Sequence, residues 1–274
     1  MKPGLYIIAT PIGRLNDITL TAIDMLTKVD LVLCEDTRVT QKLLKNFDIV
    51  NKCEALHKFN EASLIDQLIA KVQSCQAIAL VSDAGTPAIH DPGYRLVAAM
   101  QRHELDVFVV PGASAVIAAL SIAGCAADSF TFKGFVPSKS VEKQKFLTEI
   151  GPGTVACFES PHRIYNTLIT VAELVAPDRE LVCCRELTKM HETIKVLKVS
   201  EITTWLAQQP ILKGEWVLVF RPFEPKITEP SSAACKIIDH LVPIVGINKA
   251  SKVAKDITNE PKNLLYDYAL AKYG

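Results

Sequence analysis

The sequence predicts an α/β fold: a parallel sheet in an N-terminal domain, a mixed sheet in a second domain, and a small helical C-terminal tail. Three observations support it. From the start to about residue 120, apolar strands alternate with amphipathic helices, the pattern of a parallel sheet covered on both faces. Beyond that point the rhythm changes, and "TIKVLKVSEI" alternates apolar and polar residues as a half-exposed antiparallel strand does. The proline-rich stretch "RPFEPKITEPSS" then gives way to a segment with the spacing of three short helices. The expected boundaries are 1–122, 123–222, a linker at 223–233, and 234–274.

Taken in order, Leu5–Ala9 reads as a strand, and "DITLTAIDMLTKV" has helical spacing opened by an Asp or Thr cap. Leu31–Cys34 is the second strand, followed by the helix-like "VTQKLLKNF". "SLIDQLIAKVQ" puts Leu64, Leu68 and Val72 on one helical face. Ala77–Val81 is a strand, a helix starts at Tyr94, Val107–Val110 is a strand, and a helix starts at Ser114. In the second domain Thr154–Phe158, Leu181–Arg185, Thr193–Val199 and Glu215–Phe220 read as strands, with helices between the first two and after Val199.

Composition narrows the function classes. The 274 residues carry 30 basic and 30 acidic side chains, so the surplus of positive charge usual in a nucleic-acid binder is missing overall, although a local basic patch is compatible with it. No apolar run reaches the roughly 18 residues that span a bilayer, and "MKPGLYIIATPIG" lacks the features of a signal peptide. The expectation is a cytoplasmic protein with no membrane partner. Eight cysteines form no C-x-x-C pair and no zinc spacing with histidine, so they read as small buried thiols and no metal site is expected.

Ligands of an open parallel sheet bind outside the carboxyl ends of its strands. Four polar loops lie there: "ATPIGRLND", "EDTR", "SDAGTPAIHDPG" and "PGASA". Each alone reads as turn and cap chemistry, but four at one sheet edge point to a ligand held by backbone atoms of small residues. The first loop has one glycine, so it is no dinucleotide fingerprint, and a P-loop motif does not occur. A nucleoside-like cofactor fits such loops, with carboxylates to fix hydroxyls or an amine.

The ordered series "LYIIATPIGRLNDITLTA", "CEDTR", "SDAGTPAIHDPG", "PGASA", "FKGFVP", "FESPHR", "RELTKMHE" and "GEWVLV" resembles the ribosomal RNA cytidine 2′-O-methyltransferase branch of the tetrapyrrole methylase superfamily. The resemblance covers roughly residues 4 to 221, and the tail looks like that branch's helical C-terminal domain. It implies a two-domain tetrapyrrole-methylase-like fold and S-adenosyl-L-methionine bound between the domains. It also implies a homodimer, and as acceptor a cytidine in the decoding region of the 16S ribosomal RNA of the small ribosomal subunit. Carried over by motif, the cofactor contacts are Ile12, Asp83, Gly85, Thr86, Pro87, Ile89, Ser114, Ala115, Phe158, Gly214 and Glu215.

Methyl transfer from a sulfonium is an in-line displacement, so positioning the acceptor oxygen does most of the work. A base, or a cation for the developing alkoxide, adds to it. The candidates for that role are Asp36, Arg38, Glu159, His162 and Arg163, and the sequence does not choose between them. For Asp36 and Arg38 an internal salt bridge and helix cap is an equal reading. RNA contacts are expected from Arg14, Arg38, His57, Lys133, Arg163 and Lys189, and from Lys249 and Lys252, which share a stripe with Lys255. In "LHKFNE", Phe59 stands where the family commonly has a second histidine, leaving His57, Asn60 and Glu61 as acceptor-side contacts.

Two other readings compete. One is a methyltransferase for a tetrapyrrole precursor, which a glycine-rich first loop favours and "ATPIGRLND" does not. The other is a non-catalytic ribosome-associated binding protein, against which the intact polar loops speak.

Overall fold

The structure, a computed structural model, describes residues 1–209, 212–223 and 229–274. The chain divides into two compact units, Met1–Phe223 and Glu224–Gly274. Residues 224–228 of the expected linker lie outside the described residues.

The first unit opens with β1 (Gly4–Ile8), α1 (Leu20–Lys28), β2 (Leu31–Cys34), α2 (Thr37–Asn46), β3 (Cys53–Ala55), α3 (Glu61–Gln73), β4 (Ala77–Leu80), α4 (Tyr94–Arg102), β5 (Val107–Val110) and α5 (Ala115–Ile122). The helix starts follow local chemistry: Thr19 caps α1 by accepting from Ala22 N, and Asp36 caps α2 by accepting from Arg38 N. The five strands form one sheet in the order β3-β2-β4-β1-β5, every neighbour parallel. One face packs Ile8, Leu26, Val32 and Leu44, and the other packs Leu5, Leu33, Leu68, Ile78 and Leu96. The short β3 was not expected, because "CEA" is too brief and polar to signal a strand. At the sheet edge β5 departs from the expected double covering, and its Val109 is 72% exposed.

A second sheet follows, with β6 (Phe130–Phe135), α6 (Ser140–Thr148), β7 (Thr154–Glu159), α7 (Ile164–Leu174), β8 (Glu180–Arg185), β9 (Thr193–Lys198), α8 (Ile202–Ala207) and β10 (Trp216–Phe220). Its order is β6-β7-β10-β8-β9, with β6 parallel to β7 and the other pairs antiparallel. The antiparallel pairing expected of "TIKVLK" is present in the edge strand β9, but the expected half-exposure is not: Leu197 alone is buried, and Ile194 and Val196 are exposed because no element among the described residues covers their face. Neither β6 nor α6 was expected from the sequence. One face of this sheet packs under α7 and α8. Its other face takes Val116, Ala119 and Leu120 of α5, together with Ile12, against Ala156, Val182 and Val217. The helix that ends the first sheet's series thus lies on the second sheet, and this joins the two into one unit.

In the second unit, α9 (Ser232–Val245), α10 (Ile247–Thr258) and α11 (Lys262–Tyr273) are the three expected helices. Ser231 caps α9 and is held by the Glu260 carboxylate, which accepts from its N–H and its hydroxyl. Ala234, Ile238, Ala254, Leu265 and Ala269 form the small core. Lys249, Lys252 and Lys255 are exposed on α10.

Among the described residues, no helix is long and apolar enough to cross a membrane, and no group of histidines, cysteines and acids is arranged to hold a metal ion. All eight cysteines are free, and Cys34, Cys157, Cys183 and Cys184 are buried. Burial pushes the Cys34 thiol up to about 11 and the Cys157 and Cys183 thiols well above the ordinary range, consistent with inert core positions.

Candidate functional site

The strand-end loops are tied to one another by hydrogen bonds. Thr10, after β1, exchanges backbone bonds with Gly85, after β4: Thr10 N donates to Gly85 O at 2.9 Å and Gly85 N to Thr10 O at 3.0 Å. The buried Thr10 hydroxyl also donates to Ser82 O at 3.0 Å. Thr86 Oγ1 donates to Ala113 O at 3.1 Å and so reaches the loop after β5. Asp36 N, after β2, donates to Asp83 Oδ1 at 3.0 Å. Gly85 has φ of +83°, where a side chain is disfavoured, and this lets the turn hold its pairing with Thr10.

These loops and the second sheet enclose a cavity of ≈ 370 Å³, within the size range of small-molecule and cofactor sites. Ile12, Asp83, Gly85, Thr86, Ile89, Ser114, Ala115, Phe158 and Glu215, all expected cofactor contacts, line it. Pro87 and Gly214 adjoin the wall in the chain without lining it. The wall also includes residues for which the sequence reading assigned no role: His90, Val116, Phe135, Ser160, Pro161, Leu187, Trp216 and Val217. Most of these lie inside the quoted motifs, so the motifs marked the right segments while the individual contacts depended on how the segments fold.

Three carboxylates, Glu35, Asp83 and Asp91, stand on the same wall. Burial, and then the charge of Glu35, push Asp91 up to about 6. The cavity lining also has aromatic rings, those of His90, Phe135 and Phe158. Phe158 packs against Phe135 on one side and against Phe132, outside the lining, on another, and His90 reaches from the loop after β4 to join them.

Among the candidates for base or cation, Glu159 lines the cavity and is 2% exposed. Its carboxylate accepts from Ser160 N (2.6 Å) and Thr167 Oγ1 (2.6 Å) and pairs with Arg163 Nη2 at 2.7 Å. This spends its oxygens on fixing the "ESPHR" turn. Arg163 Nε also donates to Ser160 Oγ, while His162 is exposed. Asp36 and Arg38 form a two-point pair, with Nε to Oδ1 at 3.0 Å and Nη2 to Oδ2 at 2.6 Å. Arg38 holds the Asp36 carboxyl down at about 2.

The expected RNA contacts are spread more widely. Arg14 is exposed, with its backbone N–H donating to Thr188 Oγ1 at 3.3 Å. His57 is half-buried and its Nδ1 has no partner among the described residues. Lys133 Nζ donates to Glu149 O at 2.6 Å and lies over the Phe146 ring. Lys189 pairs with Glu186 at 3.0 Å and with Glu215 at 3.2 Å. Asn60 and Glu61, expected on the acceptor side, have structural work. Asn60 bridges His57 N and Ala55 O. Buried Glu61 accepts from Gly93, Arg95 and Leu96 N–H at the start of α4.

Residues 4–203 match the family model described as Tetrapyrrole (Corrin/Porphyrin) Methylases. The chain belongs to the tetrapyrrole methylase family. Within it, the chain is 41% identical to the Ribosomal RNA small subunit methyltransferase I of Vibrio cholerae, over 99% of this chain and 96% of that one. To the protein of the same name from Escherichia coli O157:H7 it is 40% identical, over 98% and 96%. The fold is also that of a Thermus thermophilus uroporphyrin-III C-methyltransferase complexed with S-adenosylhomocysteine. The TM-score there is 0.54 at 16% identity, over 79% of this chain and 96% of that one. This tetrapyrrole methylase therefore shares its whole length, helical tail included, with the ribosomal RNA relatives, and about four-fifths of it with the tetrapyrrole enzyme.

Proposed function

We propose that this tetrapyrrole methylase is an S-adenosylmethionine-dependent ribosomal RNA methyltransferase acting on the 2′-hydroxyl of a cytidine in the decoding region of 16S RNA. The observation that carries this reading is the near-complete match to the ribosomal RNA relatives, which extends through the tail. The small ribosomal subunit as partner, a homodimer and a cytoplasmic location belong to the same proposal.

The cavity suits the cofactor. Its floor is backbone of small residues, and its wall carries carboxylates able to meet hydroxyls, an ammonium or a sulfonium. When bound, S-adenosylmethionine supplies an electrophilic methyl group. Ile12, Asp83, Gly85, Thr86, Ile89, Ser114 and Ala115 would hold it from the first sheet, in residues 1–122, with Pro87 stiffening the turn behind them. Phe158 and Glu215 would hold it from residues 123–222, with Gly214 next to Glu215 in the chain.

The tied loops fix these groups before binding, so little ordering remains to be done. Glu159 and Arg163 keep the "ESPHR" turn in place beside the wall. A ribose hydroxyl must lose its proton, and Asp91, a cavity-wall carboxylate raised to about 6, is matched to accept it near neutrality. Arg14, Arg38, His57, Lys133, Arg163 and Lys189 serve the RNA in the first unit, and Lys249 and Lys252 in the second.

A labelled methyl-transfer assay tests the reading. Small ribosomal subunits from a strain lacking this protein, naked RNA, and a tetrapyrrole precursor are compared as acceptors, and the product is digested to its nucleosides. Label in 2′-O-methylcytidine from the subunits is the expected result. Label in the tetrapyrrole, or in no acceptor, overturns it.

A further inference from the structure

We infer that Phe135 is a stacking platform for a nucleobase of the acceptor RNA, set at the lip of the cofactor cavity. This rests on the ribosomal RNA reading above. Its ring lines the cavity yet remains 47% exposed, an unfavourable position for a phenylalanine whose role is packing alone.

The local fold places it there at some expense of regularity. The parallel pairing of β6 with β7 runs Phe130↔Thr154, Thr131↔Val155, Phe132↔Ala156 and then shifts to Phe135↔Phe158. Three steps on β6 therefore answer two on β7. Such a bulge breaks the ladder and re-aims the side chain that follows it. Gly134 supplies the break with φ of +69°. A side chain there would be strained, and its Cβ would lie 3.2 Å from His90 Nε2.

His90 then fixes the result from the other side. Its Nε2 accepts the Phe135 N–H at 3.2 Å, the amide freed near the bulge, and its ring lies 5.1 Å from that of Phe135. His90 itself holds φ of +70°, uncommon for a residue with a side chain. Phe158, at 5.3 Å, backs the ring edge to face. The neighbour of His90, Ile89, also lines the cavity and is 53% exposed. The lip thus carries an immobilised aromatic face and an aliphatic side chain from the opposing loop, beside the pocket that holds the methyl donor. Single-stranded RNA bases are recognised by stacking on such rings, and a cytosine offers the flat face required.

The alternative occupant of this ring is the cofactor, and the experiment separates the two. Phe135→Leu keeps an apolar side chain and removes the ring; Phe135→Tyr keeps the ring. S-adenosylmethionine affinity is measured by calorimetry without RNA, and the acceptor KM and kcat are measured with small ribosomal subunits. The expected result is a cofactor affinity for Phe135→Leu within twofold of wild type, an acceptor kcat/KM lower by about tenfold or more, and near-complete rescue by Phe135→Tyr. Unchanged acceptor kinetics in Phe135→Leu, or an equal loss of cofactor affinity, overturns the inference while the methyltransferase reading stands. A wild type that transfers no methyl group to any RNA overturns that reading, and the inference with it.

Discussion

The backbone N–H of Asp36 donates to Asp83 Oδ1 at 3.0 Å, so the loop after β2 hangs on the loop that forms the cavity floor. Asp83 acts here as a tie between two strand ends, in addition to the cofactor contact proposed for it. Asp83→Ala removes both functions, and Asp83→Asn keeps an oxygen at the same place. A hydrogen bond to a charged group contributes about 1.5–3 kcal/mol. Calorimetry should therefore show S-adenosylmethionine binding weakened about tenfold or more in Asp83→Ala, and less in Asp83→Asn.

Asp91 couples stability to pH with a sign opposite to that of most carboxylates. Its pKa is raised from 3.8 to about 6 by burial and by Glu35, so the folded state binds the proton more tightly than the unfolded chain. The favourable contribution is complete below about pH 4 and is lost as pH rises through about 6. Because the group is partly open to solvent, the loss is discounted to about 1–2 kcal/mol. Asp91→Asn should raise Tm at pH 7.5 and leave it nearly unchanged at pH 4. The same variant should lower kcat by about a hundredfold or more if Asp91 takes the hydroxyl proton. The acid limb near pH 6 should then disappear from the rate profile.

Glu61 concerns the far end of the same loop. One oxygen of its buried carboxylate accepts from Gly93 N, Arg95 N and Leu96 N, each at 3.1 Å. Glu61→Ala leaves these amides unpartnered and should destabilise the protein by about 3 kcal/mol, whereas Glu61→Gln retains an acceptor and should lose less. Urea unfolding of the two variants measures the difference.

Gly13 sets how closely the first loop approaches the second sheet's loop 186–189. A Cβ there would clash with Thr188 Oγ1 and lie 2.7 Å from Lys189 Cγ and 2.9 Å from Leu187 O. Gly13→Ala should cost about 1–3 kcal/mol of stability and weaken cofactor binding. Gly153→Ala, with nothing within 4 Å of the added atom, is the control and should do neither.

The sequence showed the fold where apolar pattern and element coincide. Ala77–Leu80 and Val107–Val110 are continuous apolar strands, and Tyr94 opens its helix where expected. It did not show β6, because Gly134 and the bulge interrupt the alternation of "FTFKGF". For the site, short-range motifs located the loops, and nine of the cavity-lining residues carry over from them. Other contacts depend on distant pairings that no local spacing encodes. His90 meets Phe135 across 45 positions, and Asp36 meets Asp83 across 47. Glu159, a candidate catalytic group in the sequence, proves to be the buried anchor of its own turn.

We propose above all that the cavity formed by the tied strand-end loops holds the methyl donor. A crystal structure of the protein grown with S-adenosylhomocysteine tests it most directly. The product should lie between the Gly85-Thr86 turn and Ser114-Ala115 on one side and Phe158 on the other. Density for the product elsewhere on the protein, with this cavity empty, would contradict it.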